Sequence, residues 1–233
     1  MSKLKTVFLA CPFFIFSASA ACAQSATTDW TGAHVGLTIG ELGLSTNVTP
    51  NYTNGFGYSN NNSGYDGYGG KVRGSGGGAI VGVELGYNYQ IDDIVVGGEA
   101  DYSTGAVGNS SADTYIPISS NRLSNFSTVR ARAGYALDHT LIYGTAGLAL
   151  AKISSSAVDY YINDNYYNES TTGFRTGYVV GVGLEQALGS NVSLKVEGLY
   201  ADFGASTSVD QEGDVFKFSN NVTVGRISLV YNF

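Results

Sequence analysis

Cysteine is close to absent: the chain has two, Cys11 and Cys22, and both precede residue 24. Histidine occurs twice, methionine and tryptophan once each, and proline three times. Charged residues make up only 13% of the chain, where soluble domains carry about 25%. No apolar run reaches the ~20 residues that cross a bilayer as a helix. These scarcities exclude a disulfide scaffold and, once the first residues are removed, thiol chemistry. They leave no His pair and no Cys for a transition metal. Neither His34 nor His139 has a nucleophile or carboxylate arranged with it where acid–base catalysis would need one, so the sequence reads as non-enzymatic. A net charge of −7 argues against nucleic acid as a partner.

The first residues have the order of a secretory signal: Lys3 and Lys5, the apolar run from Thr6 to Phe16, then small residues ending at Ala21-Cys22-Ala23. Cleavage is expected after Ala23, giving a signal peptide at 1–23 and a single domain at 24–233. Lipidation at Cys22 is the competing reading, but its recognition wants a branched apolar residue where Ser19 stands.

What is abundant is glycine (32) and tyrosine (17). A mean hydropathy of +0.02 without a helix-length apolar run means that the apolar residues are dispersed. They are dispersed with a period of two. Val81, Val83, Leu85, Tyr87 and Tyr89 alternate with Gly82, Glu84, Gly86 and Asn88. The pattern recurs in 94–103, 129–137, 175–185, 192–197 and 226–233, and with Ala33 to Ile39 and Leu141 to Ala151 it gives eight strands. Leu141 to Ala151 is the weakest, because Ile142, Leu148 and Leu150 break its alternation.

Connections alternate in length. Asp92-Asp93, Asp138-His139-Thr140 and Gly189-Ser190-Asn191 are short, while Glu41 to Ser75, Thr104 to Arg122, Ser154 to Thr172 and Gly204 to Lys217 are long and polar. Short periplasmic turns and long extracellular loops are the pattern of a bacterial outer-membrane barrel. A ten-stranded alternative would need another hairpin within Glu41 to Ser75, which has no alternating apolar run.

Strand parity puts Glu84, Glu99, Asp101, Glu185 and Glu197 on one face with Arg130, Arg132, Arg175, Lys195 and Arg226. Five acids and five bases on the face away from lipid form a candidate lumen charge network. On the other parity, Tyr87, Tyr89, Tyr102, Tyr135, Tyr178, Tyr200, Tyr231 and Phe233 fall near strand ends, where amphipathic rings sit at the two membrane interfaces. A soluble sandwich tolerates the same alternation but gives no reason for that aromatic placement. The fold expected is therefore all-β: an eight-stranded antiparallel transmembrane β-barrel.

Several segments carry a family likeness: Asp29-Trp30-Thr31-Gly32-Ala33-His34-Val35-Gly36, Gly86-Tyr87-Asn88-Tyr89, Gly98-Glu99-Ala100-Asp101-Tyr102, Thr128 to Ala136 and Leu229-Val230-Tyr231-Asn232-Phe233. In that order they resemble the small alphaproteobacterial outer-membrane barrels, variously described as porin-family proteins, surface antigens or haem-binding proteins, and more distantly the barrel of OmpA. The resemblance implies a location in the cell outer membrane of a Gram-negative bacterium. The family usually has an aromatic where this chain has His34. Ile227, Leu229, Tyr231 and Phe233 resemble the terminal signal read by the barrel assembly machinery.

Three functional readings follow. A lumen this narrow is just filled by its side chains, so balanced charges favour a structural plug; inner glycines such as Gly82, Gly86, Gly97, Gly134, Gly181 and Gly183 leave room for water and keep a small diffusion pore in play. Tyr52, Tyr58, Tyr65, Tyr68, Tyr115, Tyr160, Tyr161, Tyr166 and Tyr167, set among Asn, Gly and Ser, resemble an adaptable binding surface for host molecules. Haem, a ligand of some relatives, would have to use these tyrosines, because His34 and His139 are placed away from the outside. Lys71, Arg73, Arg122, Lys152 and Lys217 lie in or beside the long loops and are candidate contacts to lipopolysaccharide phosphates.

Overall fold

The structure is a computed structural model describing residues 28–51, 72–113, 116–160, 166–209 and 215–233. Within these, side chains are described up to about residue 47 in the first strand and correspondingly short of the far tips of the others. The expected signal segment, with its cleavage point after Ala23, lies outside the described residues.

Eight strands follow one another: β1 (Gly32–Asn51), β2 (Val72–Ile91), β3 (Ile94–Asp113), β4 (Ile116–Leu137), β5 (Thr140–Tyr160), β6 (Tyr166–Ala187), β7 (Val192–Val209) and β8 (Val215–Asn232). Each pairs antiparallel with the next, and β8 returns to β1, closing the sheet into a barrel. Closure leaves the first and last strands no free edge where the sheet crosses lipid, the condition for a sheet to span a membrane.

Two connections are two-residue hairpins: Ile91 pairs with Ile94 across Asp92-Asp93, and Leu137 with Thr140 across Asp138-His139. Thr140 therefore opens β5 rather than ending the turn. Asp92 and Asp138 each take a positive φ, 54° and 50°, the left-handed geometry that tight hairpins need and that Asp tolerates better than branched residues. At this same turn end, Phe233 N donates to Ala33 O at 3.0 Å and fastens the last strand to the first.

The strands are longer than the sequence pattern indicates. Residues 104–122, expected as a loop, are mostly β3 and β4, and the other three long stretches likewise contribute strand at both ends. Strands of 18 to 22 residues are about twice the ~9–11 that span a bilayer. The excess lies at the end away from the turns, where the sheet stands clear of lipid, needs no apolar outer face and so loses the outward apolar pattern.

The outward face carries the apolar belt: Leu37, Ile39, Leu85, Val129, Leu148, Val182 and Leu229 are all exposed. The eight rings assigned outward by parity are exposed as well.

Inside, the barrel is layered. Trp30, Val95, Ala136, Leu141 and Tyr143 form a small apolar cluster at the turn end. The charged residues fill the middle, and beyond them Leu42, Leu44, Ile80, Leu123, Phe126, Ile153, Val179, Leu199, Val222 and Val224 form a larger apolar cluster. The inner glycines do not leave space for water. A Cβ on Gly86 would meet the His34 ring at 2.6 Å, the one on Gly183 the Tyr143 ring, and the one on Gly97 the Asn88 side chain. In so narrow a barrel these inner glycines accommodate larger side chains from neighbouring strands, while Gly147 and Gly177 let the backbones themselves approach.

Candidate functional site

The middle layer is built from alternate residues of six strands: Glu84 on β2, Glu99 and Asp101 on β3, Arg130 and Arg132 on β4, Glu185 on β6, Lys195 and Glu197 on β7, and Arg226 on β8. All nine are buried. Arg130 is the hub. Its Nη1 donates to Glu197 Oε1 at 2.8 Å, its Nη2 to Asp101 Oδ2 at 3.1 Å and to Glu99, and its Nε to Thr128 Oγ1 at 2.8 Å. Thr128 in turn donates its hydroxyl hydrogen bond to Asp101 Oδ2. Arg226 reaches Glu197 through Nε at 2.7 Å and Asp101 Oδ1 through Nη1 at 3.0 Å.

Lys195 Nζ lies 2.5 Å from Glu84 and 2.9 Å from Glu99. Arg132 donates to Glu185 at 2.8 Å, and its guanidinium stacks over the Tyr143 ring at 4.1 Å. Neutral donors complete the acids: Ser193 to Glu185 at 2.6 Å, Tyr143 to Glu197 at 3.0 Å and Ser228 to Glu84 at 3.3 Å. Because the charges come from six strands, the network ties opposite walls of the barrel together. Each of these buried charges has an opposite charge within 4 Å, which offsets much of the penalty of burying it alone, while Glu84 Oε1, Asp101 Oδ1, Arg132 Nε and Arg226 Nη1 are held by charge without a hydrogen bond.

Arg175, the fifth base of the expected set, differs. It has inward parity on β6, but lies beyond Val179, opposite Ala151 of the far apolar cluster and so separated from the ion network, half-buried, and forms no ion pair among the described residues. The parity of a strand fixes which face a residue joins and not its height along the axis. The network proper thus has five acids and four bases, with His34 beside it: Nε2 lies 3.8 Å from Glu99 Oε2 and the ring is buried. His34, Thr128, Tyr143, Ser193, Ser228 and Thr38, whose hydroxyl lies 2.7 Å from Ser228 Oγ, stand outside the expected set. His34, Thr38 and Thr128 could have been found from inward parity alone; Tyr143 was hidden in the weakest strand.

The remaining candidates lie apart from this layer. Ile227, Leu229, Tyr231 and Phe233 point outward along β8 and past its end. Lys152 is on the outward parity of β5, half-buried, between Asn125 and Phe174 on the neighbouring strands. Arg73, Arg122 and Lys217 lie in β2, β4 and β8 near the far tips, with their side chains outside the described set, and Lys71 is outside the described residues. So are Tyr52, Tyr58, Tyr65, Tyr68, Tyr115 and Tyr161, while Tyr160, Tyr166 and Tyr167 belong to strand tips. His139 is held in its turn by Thr28, Oγ1 to Nδ1 at 2.8 Å. No group of three metal-ligating side chains occurs among the described residues.

Residues 10–233 match the family model described as outer membrane protein beta-barrel domain. The chain is 31% identical over 214 residues to the 31 kDa outer-membrane immunogenic protein of Brucella melitensis, covering 89% of this chain and 85% of that one. It is 33% identical over 147 residues to the 22 kDa outer membrane protein of Rhizobium leguminosarum bv. viciae, covering 63% and 62%. Among solved structures, the outer membrane protein OprG of Pseudomonas aeruginosa overlays with a TM-score of 0.53 at 9% identity, covering 88% of this chain and 99% of that one. That last likeness is one of fold.

Proposed function

This chain belongs to the outer-membrane β-barrel protein family and resides in the outer membrane, and from that premise we propose that it is a structural, non-catalytic, surface-exposed barrel whose lumen is sealed by its own side chains. The observation that carries this reading is the buried ion network between two apolar clusters. An eight-stranded barrel encloses only enough space for its side chains, and here those side chains join opposite walls. The turns face the periplasm and the long strand extensions the exterior, where immunogenic relatives would also be met by antibodies. Delivery uses the segment ending at Ala23 and the β8 pattern closing on Phe233. Basic residues at the far end, Lys152 among them, meet lipopolysaccharide phosphates.

Planar-bilayer recording tests the sealed lumen. The purified folded protein gives no step conductance; steps that vanish on Arg130→Ala or Glu197→Gln would replace this reading with a small pore. Haem capture by the outer tyrosines predicts a Soret shift on titrating haemin, and its absence removes that alternative.

A further inference from the structure

The barrel wall opens most widely at one seam: β2–β3 pairing thins after Ile80↔Gly105 and ends at Gly77↔Gly108, but the β6–β7 seam stops much sooner. Among the described residues, β6–β7 pairing runs from Ala187↔Ser193 only to Tyr178↔Asp202 and stops. Both strands continue: β6 runs on to Tyr166, paired with β5 all the way to Tyr160↔Tyr166, and β7 runs on to Val209, paired with β8 to Val209↔Val215. Beyond Tyr178 and Asp202 the wall therefore divides into a β5–β6 hairpin and a β7–β8 hairpin, each with one unpaired edge facing the other.

The split is produced by local chemistry. At the last rung the strands are as close as they can be: a Cβ on Gly177 would meet the Asp202 carbonyl and lie 2.9 Å from Phe203 Cα. One step on, β7 bends. The β7–β8 register shifts between Asp202 and Ala205, Gly204 takes φ +68°, and its N–H is held by Asp202 Oδ1 at 2.7 Å. A bulge of this kind re-aims a strand and ends pairing on one side. Phe203 is turned against the far apolar cluster, while around Gly173 and Gly204 nothing among the described residues lies within 4 Å of an added Cβ. Tyr178 Oη, 3.4 Å from Asp202 Oδ2, ties the strands at the base of the opening.

Two features say what the cleft would take. Its walls are strand edges, whose backbone N–H and C=O groups are matched in spacing only by another extended polypeptide. At its base, Arg175 has inward parity, is half-buried, and has no carboxylate among the described residues, while Phe174 beside it is 75% exposed. The buried side chains of the far cluster, from Leu42 to Val224, lie in the lumen between the cleft and the ion network.

We propose that the cleft between β6 and β7 is a strand-addition site that binds an extended acidic segment of another protein, pairing it along residues 166–177 of β6 and placing a carboxylate against Arg175. Main-chain pairing gives the affinity and Arg175 the selectivity.

The test pans phage-displayed random peptides about ten residues long, the length of a strand, against the folded full chain in lipid nanodiscs, with empty nanodiscs as background. Enriched peptides carry an acidic residue. Their affinity falls about tenfold or more with Arg175→Glu and with N-methylation of alternate peptide amides. Peptide binding also slows hydrogen exchange in 166–177. Arg175 lies outside the ion network, so the variant folds, which heat-dependent gel migration verifies. Absence of enrichment overturns the proposal, as does binding insensitive to both changes. So does exchange at these edges that is already slow without peptide, or slow only in nanodiscs holding two copies, which would mean that the edges pair with each other or with a second chain.

Discussion

Lys195 and Glu84 meet across the lumen at 2.5 Å, fully enclosed, although their strands β7 and β2 are not neighbours in the sheet. Removing one partner of such a pair leaves a buried charge uncompensated, which costs about 3–5 kcal/mol, whereas replacing both with apolar residues of similar size is often neutral. Lys195→Met is therefore expected to destabilise the barrel by about that amount, and Lys195→Met with Glu84→Met to regain part of it. The second recovery is incomplete because Glu99 also faces Lys195, at 2.9 Å. Urea unfolding in lipid vesicles measures both. A single variant within error of the parent would mean that the network contributes nothing to stability.

Gly183 and Tyr143 make a different kind of pair. The three atoms nearest a Cβ on Gly183 all belong to the Tyr143 ring, and that ring also stacks under Arg132 and donates to Glu197. Gly183→Ala pushes the ring away from both partners; overpacking of this sort costs about 1–3 kcal/mol. In a Tyr143→Leu background the same alanine should cost much less. A double-mutant cycle reads the difference, and additive effects would show that the ring moves aside freely.

How much of this was legible in the sequence depends on what each strand carries on its inner face. Through the middle of β2 and β3 the inner residues are glycine, polar or charged, as at Gly82, Glu84, Glu99 and Asp101, so alternation stands out. In β5 the inner residues are mostly apolar, Leu141, Tyr143, Ala149, Ala151 and Ile153, with only Thr145 and Gly147 between them. With lipid outside and an apolar cluster inside, both faces are apolar and the period fades. The strand extensions reverse the phase: at Glu41, Gly43 and Ser45 the outer face is no longer apolar while Leu42 and Leu44 point inward, so the lipid-facing pattern stops there. Register explains the rest. Parity placed nine of the ten charges in one layer, but Arg175 needed its height along β6, and the β6–β7 split shows only in which residues pair.

The hairpin at Asp138 offers a local test. With φ at 50°, this position suits Gly, Asn or Asp, while a branched side chain in the left-handed region costs about 1–2 kcal/mol. Asp138→Val should lower stability by that amount and Asp138→Gly should be tolerated. The network lies beyond the turn-end cluster, so any effect is local. Equal stability of the two variants in the same urea titration would contradict the assigned turn geometry.

Phe233 separates recognition from folding. Its ring is 73% exposed, packs edge-on against Tyr231 with centroids 5.0 Å apart, and its backbone N–H closes onto Ala33. Deleting the residue removes both ring and closing bond, whereas Phe233→Ala removes the ring alone. Should the ring be read by the assembly machinery, Phe233→Ala lowers the amount of protein in the outer-membrane fraction of cells while the purified variant still folds into vesicles at the parental rate. A ring that serves only as part of the lipid face would affect both measurements together. We expect the first pattern, with the deletion slower than Phe233→Ala in vesicles because it also loses the β1–β8 hydrogen bond. Unchanged outer-membrane yield for both variants would remove Phe233 from the assembly signal.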